Sequence, residues 1–245
     1  MVKIGIIQTR SYRNNQEGIN AIAKLLTRSG KKGAEMVCLP EQWLKDNKIS
    51  DYDKEFAKFK KIAKEFSMTI IPGAFYEMTK RGPVISAPIV GPSGEIVGKQ
   101  EKIHPFDYER NLIKPGKEAK IFNTSCKFGI IVCYDMVFPN VVNSLVKKGA
   151  EVLISPSRIV KRGIEPWSMY VQVRALENRV PILAANVTDS KYGGESIIVD
   201  LEENDKVVIP KITRLRGESA TLKELNLSRY TKMRESRFSD ARKFV

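Results

Sequence analysis

Two kinds of apolar pattern alternate along the chain. Short apolar runs of strand length are separated by longer segments in which apolar residues recur every three or four positions. The longer segments Asn15–Ser29, followed by Gly30 as a stop signal, and Asp51–Phe66 predict amphipathic helices. The remaining predicted helices are Pro139–Lys147, Pro166–Asn178 and Lys223–Arg234.

The short runs predict the strands. They fall at about residues 2–8, Glu35–Leu39, Met68–Ala74, Val84–Val90, Glu95–Lys99, near 119–122, near 128–132, Val152–Ser155 and Pro181–Asn186, with hairpins across 194–222. The turn Gly91-Pro92-Ser93-Gly94 predicts that the fourth and fifth of these strands form a hairpin. This alternation predicts one α/β domain over residues 1–245, with helices on a large mixed sheet and a basic polar tail from about 235 to 245.

Composition narrows the class of protein. The 245 residues are 42% hydrophobic and 29% charged, which is ordinary for a globular chain. No apolar run reaches the roughly 18 residues of a membrane span, and the N-terminus alternates like a strand rather than forming a signal peptide. We therefore expect a soluble cytoplasmic protein that does not bind membranes.

The chain is strongly basic, with a formal net charge of +14. About half of this surplus lies between Lys206 and Val245, where the basic residues are interspersed with Leu, Tyr and Phe and accompany no nucleic-acid-binding motif. A solvated basic face is the favoured interpretation, and a nucleic-acid binder is the alternative.

Cysteine and histidine are scarce. The three cysteines, Cys38, Cys126 and Cys133, are too few and too scattered for a disulfide framework. With His104 as the single histidine, the chain also lacks the ligand spacing of a zinc site, and we expect neither a metal nor another cofactor. Any triad that requires histidine would have to use His104.

Three short stretches each place a polar or reactive side chain where an apolar strand ends. They are Val37-Cys38-Leu39-Pro40-Glu41, the segment from Gly98 to Phe106 that contains Lys102, and Ile130-Ile-Val-Cys-Tyr-Asp-Met-Val-Phe-Pro139, which contains Cys133. Taken singly, each has an ordinary explanation, because glutamate and lysine usually face solvent and a buried cysteine is commonly an inert apolar group.

Taken together and in this order, the three stretches resemble the motifs of the nitrilase superfamily of carbon–nitrogen hydrolases. The matching motifs are Leu-Pro-Glu-Gln-Trp (39–43), Glu-Lys-Ile-His-Pro-Phe (101–106) and Val-Cys-Tyr-Asp-Met-Val-Phe-Pro (132–139). Segments 174–179 and 194–200 are also similar to the family, so the resemblance spans nearly the whole chain. It implies a four-layer α-β-β-α sandwich.

The resemblance also implies a mechanism that needs no histidine. Cys133 would be the nucleophile, Glu41 its base, and Lys102 with the backbone N–H of Tyr134 would stabilise the oxyanion. Glu109 would be the second glutamate that braces the lysine. The implied reaction is hydrolysis of an aliphatic amide or N-carbamoyl compound with release of ammonia, and nitrile hydrolysis is less expected.

Family members associate across the helices that here are Pro139–Lys147 and Pro166–Asn178, so the resemblance also implies a homodimer or a higher homo-oligomer. The second helix carries Trp167, Met169, Tyr170, Val173 and Leu176, which is more large apolar groups than one buried face needs. The alternative is that all of them cover the sheet.

Some positions depart from the family pattern. Val137 and Asn140 stand where many relatives carry an Arg and a Glu, which puts a charge pair near the nucleophile in doubt. The loop Ser155-Pro156-Ser157-Arg158-Ile159 also differs, so the substrate cannot be transferred from relatives. Arg158, and farther along Arg162, could bind a substrate carboxylate or belong to the basic surface.

Two other residues of the motifs, His104 and Asp135, are expected to have structural roles rather than catalytic ones. We expect His104 to be structural and Asp135 to cap the next segment or pair locally. A second class of function stays open, a redox-sensing protein in which Cys133 is the reactive thiol, although no resolving cysteine is evident.

Overall fold

In the computed structural model, which describes residues 1–240, the strands form two mixed sheets. The strands of the first sheet are β1 (Val2–Gln8), β2 (Met36–Cys38), β3 (Thr69–Ile71), β4 (Phe75–Thr79), β5 (Gly82–Val90), β6 (Ile96–Glu101) and β13 (Ser219–Leu225). Their order is β13-β1-β2-β3-β5-β4, with β6 paired to β5. β1, β2 and β3 are parallel, and the other pairings are antiparallel.

The second sheet is built in the same manner around three parallel strands. Its strands are β7 (Ile121–Asn123), β8 (Lys127–Ile130), β9 (Val152–Pro156), β10 (Ile182–Ala185), β11 (Ile197–Asn204) and β12 (Val207–Arg214). Their order is β12-β11-β10-β9-β8-β7, in which β8, β9 and β10 are parallel. In both sheets, parallel neighbours are joined by helical crossovers, as parallel pairing requires.

Helices cover the outer faces of the two sheets. They are α1 (Asn15–Lys31), α2 (Tyr52–Glu55), α3 (Ala57–Phe66), α4 (Pro139–Lys147), α5 (Ile164–Asn178) and α6 (Leu227–Ser239). One apolar cluster fills the space between the sheets and beneath α4 and α5, and a second lies between the first sheet and α1 with α3. The predicted α-β-β-α sandwich is confirmed.

Strand β1 shows how the sequence produces two cores. Ile4 and Ile6 belong to the cluster between the sheets, whereas Ile7 belongs to the cluster under α1. Because successive side chains of a strand point to opposite faces, one continuous apolar strand supplies both layers. No helix within residues 1–240 has both the length and the apolar character needed to cross a membrane.

Gly30 was predicted to end the first helix, and this is wrong. The helix continues to Lys31, and Gly30 lies against the ring of Phe66, where an added Cβ would come within 2.4 Å of Phe66 Cγ. The glycine therefore serves the close packing of α1 on the end of α3. At the start of the helix, the Asn14 side chain accepts a hydrogen bond from the Glu17 N–H at 2.9 Å, as an N-cap should.

The single helix predicted over Asp51–Phe66 is divided at Phe56, and β4 was not predicted at all. At the break, the buried ring of Phe56 packs against the rings of Tyr52, Phe59 and Phe75. Phe75 comes from β4, so the break follows from tertiary packing that helical spacing does not reveal. The predicted hairpin around residues 91–94 is present as β5 and β6.

The end of the chain also differs from the sequence prediction. Residues up to Leu225 continue strand β13, which pairs with β1 from Val2↔Leu225 to Gln8↔Ser219 and so occupies the edge of the first sheet. The last helix therefore begins at Leu227 and continues through 235–239, where a polar tail was predicted. Residues 241–245 of that predicted tail lie outside the described part of the chain.

Candidate active site

Glu41 lies just beyond the end of β2, where two adjoining segments hold its backbone. Its N–H donates to the carbonyl of Ser157, beyond the end of β9, at 3.2 Å. A β-bridge pairs Glu41 with Ala74, beyond the end of β3. The residue is 3% exposed, so this carboxylate does not face solvent in the usual way.

Lys102 follows directly after β6 and is even more buried, at 1% exposure. Its backbone N–H donates to the Ile85 carbonyl at 2.8 Å, which continues the ladder with β5. Its Nζ lies 2.9 Å from Glu41 Oε1 and 2.8 Å from Glu109 Oε2. One ammonium thus holds two carboxylates that are distant in sequence.

Glu109 is fixed by its own short 3-10 turn, Asp107–Asn111. Its Oε2 accepts the backbone N–H of Phe106 at 2.8 Å, while Oε1 accepts a hydrogen bond from Lys102 Nζ at 3.1 Å. The structure therefore places Glu109 beside the lysine, where the resemblance implied it would be, and the residue is 3% exposed.

Cys133 begins a 3-10 turn, Cys133–Val137, just beyond β8. Its φ is +49°, a left-handed conformation that is uncommon for a residue with a side chain and stores strain of about 1–3 kcal/mol. Such strain at a turn is held in place by the surrounding structure. Here it brings the thiol of Cys133, a residue that is 8% exposed, to the same cavity as Glu41, Lys102 and Glu109.

The pKa values in this cluster are shifted by burial and by the presence of two carboxylates around one ammonium. Burial by itself would lower the pKa of Lys102, but the surrounding acidic groups, Glu41 first and then Cys133 and Glu109, outweigh it and raise that pKa. Burial, followed by the charge of Glu41, raises the pKa of Glu109, and Lys102 opposes this shift. The lysine therefore stays protonated between its two carboxylates.

The Cys133 thiol lies in the field of the same groups. Burial and the nearby charge of Glu41 raise the pKa of this thiol, while the charge of Lys102 and the backbone N–H of Arg158 lower it. The raising effects are the stronger ones. The resting cysteine is thus a protonated thiol that needs a base in order to react.

The cavity that joins these groups has a volume of about 290 Å³. Apart from the charged cluster, its wall is largely apolar and rich in aromatic rings, namely Phe106, Tyr108, Tyr134, Trp167, Tyr170 and Tyr192. Such a cavity, apolar with a few converging polar groups, is the usual form of a small-molecule site. Within residues 1–240, no three His, Cys, Asp or Glu side chains are grouped so that they could hold a metal ion.

Arg158 lines the cavity close to Cys133. Its Nη2 donates to Gln42 Oε1 at 2.5 Å, its Nη1 donates to the Gln42 carbonyl at 3.2 Å, and its guanidinium lies 4.9 Å from the centre of the Tyr192 ring. No carboxylate among the described residues forms an ion pair with Arg158. Arg162, in the turn Lys161–Gly163, is not among the residues that line the cavity.

The departures at Val137 and Asn140 have a structural counterpart. The buried side chain of Arg174, on α5, donates to the carbonyl of Met136 at 3.3 Å and to that of Val137 at 2.9 Å. Arg174 therefore anchors the turn that begins at Cys133 through the carbonyls of Met136 and Val137. The sequence indicated Arg174 only as part of a family-like segment.

Asp135 was expected to cap or to pair locally, and this is wrong. Its carboxylate accepts hydrogen bonds from residues 103 and 104, more than 30 positions earlier in the chain. The one feature of the sequence that could have indicated a larger role for Asp135 was its position two residues after the predicted nucleophile, Cys133.

Sequence reasoning also missed Gln42, which is the hydrogen-bond partner of Arg158.

Comparison with known proteins identifies the family of this chain. The carbon–nitrogen hydrolase family matches residues 3–205, and the chain therefore belongs to this family, as the resemblance to the nitrilase superfamily predicted. The sequence is 27% identical over 204 residues to omega-amidase NIT2 of Xenopus tropicalis, covering 75% of this chain and 74% of the relative. It is 28% identical over 244 residues to a nitrilase of Pyrococcus abyssi, covering 93% and 90%.

Solved structures agree on the fold. The carbon–nitrogen hydrolase of Helicobacter pylori G27 superposes with a TM-score of 0.85 over 98% of this chain and 95% of that chain, at 22% identity. Nit3 of Saccharomyces cerevisiae, a member of branch 10 of the nitrilase superfamily, gives a TM-score of 0.83 over 96% and 93%, at 23% identity.

Proposed function

We propose that this protein is an amidase-type hydrolase in which Cys133 forms a thioester with the acyl group of its substrate. The observation that carries the proposal is the buried cluster of Lys102 between Glu41 and Glu109, next to a cysteine at an apolar cavity. Burying three charges is costly. Because such a cluster contributes little to stability, its position beside a cysteine supports a catalytic role.

In the first half of the reaction, Glu41 takes the thiol proton as the sulfur attacks the carbonyl carbon of the amide. The raised pKa of the Cys133 thiol supports this order, because the proton has to leave during the attack. The tetrahedral oxyanion would be held by Lys102 Nζ and by the backbone N–H of Tyr134. One such donor is worth about 3 kcal/mol in comparable sites. The C–N bond then breaks, and Glu41 returns its proton to the leaving nitrogen, which departs as ammonia.

In the second half, water replaces ammonia. Glu41 removes a proton from the water as its oxygen attacks the thioester carbonyl, and the same two donors hold the second oxyanion. The C–S bond breaks, the sulfur regains a proton from Glu41, and the carboxylic acid leaves. Glu109 takes no proton in this scheme. It shares the positive charge of Lys102 and keeps the ammonium fixed in position.

The substrate is proposed to be a small amide or an N-carbamoyl compound. Relatives named omega-amidases support an amide. The aromatic wall of the cavity suits an apolar spacer, and Arg158, which forms no ion pair with the described residues, suits a carboxylate at the far end of the substrate.

We also propose that the chain forms a homodimer through α5. Met169, Tyr170 and Val173 on this helix are 56%, 38% and 44% exposed, whereas Trp167 is buried. Three large apolar side chains on one exposed helical surface are a feature that a second copy would cover. Light scattering at micromolar concentration should give the mass of a dimer or larger assembly, and a monomer would contradict the proposal.

The decisive experiment for the reaction combines two measurements. Ammonia release is screened across amides and N-carbamoyl amines, and the intact protein is weighed during turnover of an active substrate. We expect ammonia together with a mass increase on Cys133 that equals the acyl group, and neither in Cys133→Ala. A substrate-independent oxidation of Cys133 without ammonia would instead favour the redox-sensing alternative.

A further inference from the structure

Asp135 has no place in the proposed reaction, yet its side chain is 2% exposed. It accepts three hydrogen bonds, from the backbone N–H of Ile103 at 3.1 Å, from the backbone N–H of His104 at 2.7 Å and from His104 Nδ1 at 2.8 Å. A buried carboxylate with several charge-assisted hydrogen bonds fixes its partners strongly. What it fixes here are the two residues that directly follow Lys102.

The location of Asp135 makes this contact significant. It lies two residues after Cys133 in the same 3-10 turn, so one carboxylate joins the turn that carries the thiol to the loop that carries the ammonium. On its other side, Lys102 is held by its N–H bond to Ile85 and by its carbonyl, which accepts the N–H of Gly116 at 2.8 Å. The lysine backbone is therefore secured from both directions.

Aromatic packing strengthens the same junction. The His104 ring stacks on Phe138 with 3.7 Å between ring centres. Tyr134 meets Phe106 edge-on at 4.9 Å and Phe138 at 5.2 Å. Two of these rings belong to the lysine loop and two to the nucleophile turn or its end, so the segments interlock beyond the carboxylate contact.

We propose that Asp135 and His104 form a positioning pair that sets where the Lys102 ammonium stands relative to the Cys133 sulfur. The proposal rests on the proposed function, in which these two groups act on the same carbonyl. A displacement of about 1 Å in such a site can cost about 100-fold in rate. Asp135 and His104 touch no reacting atom and act only through the backbone that they hold.

The first test compares Asp135→Asn with Asp200→Asn. Asp200 is also a buried carboxylate with several hydrogen bonds, to Arg229, Tyr230 and the Leu201 N–H, but it lines no part of the cavity. In folded protein, Asp135→Asn should lower kcat by about 10- to 100-fold and change KM less than about threefold. Asp200→Asn should keep kcat. Equal losses of kcat in the two variants, or wild-type kcat in Asp135→Asn, would overturn the proposal.

A milder variant covers the case in which Asp135→Asn does not fold. His104→Phe keeps an aromatic ring to stack on Phe138 but removes the Nδ1 hydrogen bond, while both backbone donors remain. We expect a loss in kcat of about three- to tenfold, and His104→Asn, which retains an N–H donor, should recover part of it. A kcat equal to that of the wild type in His104→Phe would show that the His104 side chain does not help to position Lys102.

A third measurement needs no substrate and so separates failure of this inference from failure of the proposed function. The groups that act on the Cys133 thiol are Glu41, Lys102 and the Arg158 N–H, with Asp135 in the same turn. Loss of the Asp135 charge alone would make the thiol easier to ionise. Retreat of Lys102 would make ionisation harder, because its positive charge favours the thiolate.

The two effects have opposite signs, so the pH dependence of Cys133 alkylation by iodoacetamide distinguishes them. Mass spectrometry of the Cys133 peptide would follow the rate in wild type and in Asp135→Asn. We expect the midpoint to move to higher pH in the variant. A midpoint that moves to lower pH, as loss of the Asp135 charge alone requires, would show that Asp135 does not hold the lysine, whether or not the wild type hydrolyses amides.

Discussion

Two groups of charged side chains, each centred on a buried residue, have opposite compositions. In the first, Lys102 lies between Glu41 and Glu109, at 2.9 and 2.8 Å. In the second, Asp200 lies between Lys223 and Arg229, at 3.3 and 2.8 Å. The lysine side chain of the first is 1% exposed, whereas the Lys223 and Arg229 side chains of the second are 37% and 40% exposed.

The difference shows what separates a candidate site from a structural ion cluster. The Asp200 group joins β11, β13 and α6, and its surplus positive charge reaches solvent. The Lys102 group has a surplus of negative charge that cannot reach solvent, and it faces a thiol and an apolar cavity. A buried ion pair alone would not indicate function. An uncompensated carboxylate next to a thiol makes a candidate site, because it can accept a proton.

The largest expected effect contrasts the carboxylates. Glu41→Gln keeps a hydrogen-bond acceptor for Lys102 but cannot take the thiol proton, so kcat should fall by about 100- to 10,000-fold. Asp200→Asn should leave kcat within about threefold. Steady-state ammonia release from purified, folded variants measures both. Substantial turnover by Glu41→Gln would rule out Glu41 as the base.

The next contrast concerns the cations. Lys102→Met leaves two carboxylates buried together, and the free energy of unfolding should fall by about 3–5 kcal/mol. The loss should shrink at acidic pH, where one carboxylate can be protonated. Lys223→Met removes a partly exposed partner, and we expect a loss of about 0–1 kcal/mol. Urea unfolding at two pH values measures all of these, and similar losses for the two lysines would contradict the contrast.

The arginines give a smaller effect. Arg229 already binds Asp200, whereas the Arg158 side chain, within residues 1–240, hydrogen-bonds to Gln42 and lies against the Tyr192 ring without an ion-pair partner. Arg158→Ala should therefore lower kcat/KM by about 30- to 150-fold, or about 2–3 kcal/mol, for a carboxylated amide. The uncharged analogue should be hydrolysed as before, and Arg229→Ala should affect neither substrate. Equal losses on both substrates would remove Arg158 from the binding site.

The smallest expected effect is the pH dependence of stability due to Glu109. Its pKa is raised in the folded protein, mainly by burial and the charge of Glu41, so the unfolded chain loses this proton at lower pH than the folded chain. The stabilising contribution is complete below the ordinary glutamate pKa of about 4.3 and declines as pH rises through the raised value.

Glu109→Gln lacks this titration. The stability of wild type relative to Glu109→Gln should therefore be greatest at the acidic end and decrease with rising pH. Thermal unfolding of both proteins between about pH 4 and 8 gives this difference. A relative stability that increased with pH would mean that Lys102, rather than burial, controls the Glu109 proton.

Much of the fold could be predicted because it depends on local pattern. Strand β1, the β5–β6 hairpin and helices α4 and α5 follow from apolar spacing and turn residues that lie within each segment. Glu41, Lys102 and Cys133 were predicted because each sits at the end of an apolar strand and matches a family motif. Their catalytic roles remain predictions, whereas their convergence on one cavity is an observation.

The remaining features depend on neighbours that are distant in sequence. Glycine is a typical helix-stop residue, but Gly30 lies inside the helix, where its small size lets Phe66 pack against it. Phe56 interrupts a regular helical pattern at the point where Phe75 packs against it. Local propensity gives no information about either partner. The same limit applies to β13, whose strand conformation is set by the free edge of β1.

The sequence by itself determined the alternation of elements, the family and the order of the reactive residues, because these are written in spacing and residue type. Only the tertiary structure decided which charges surround the thiol, that Arg174 holds the turn at Val137, and that Asp135 binds the loop after Lys102. Coulomb and hydrogen-bond energies depend on distance in space and on burial. Residues more than 30 positions apart acquire those distances only when the chain has folded.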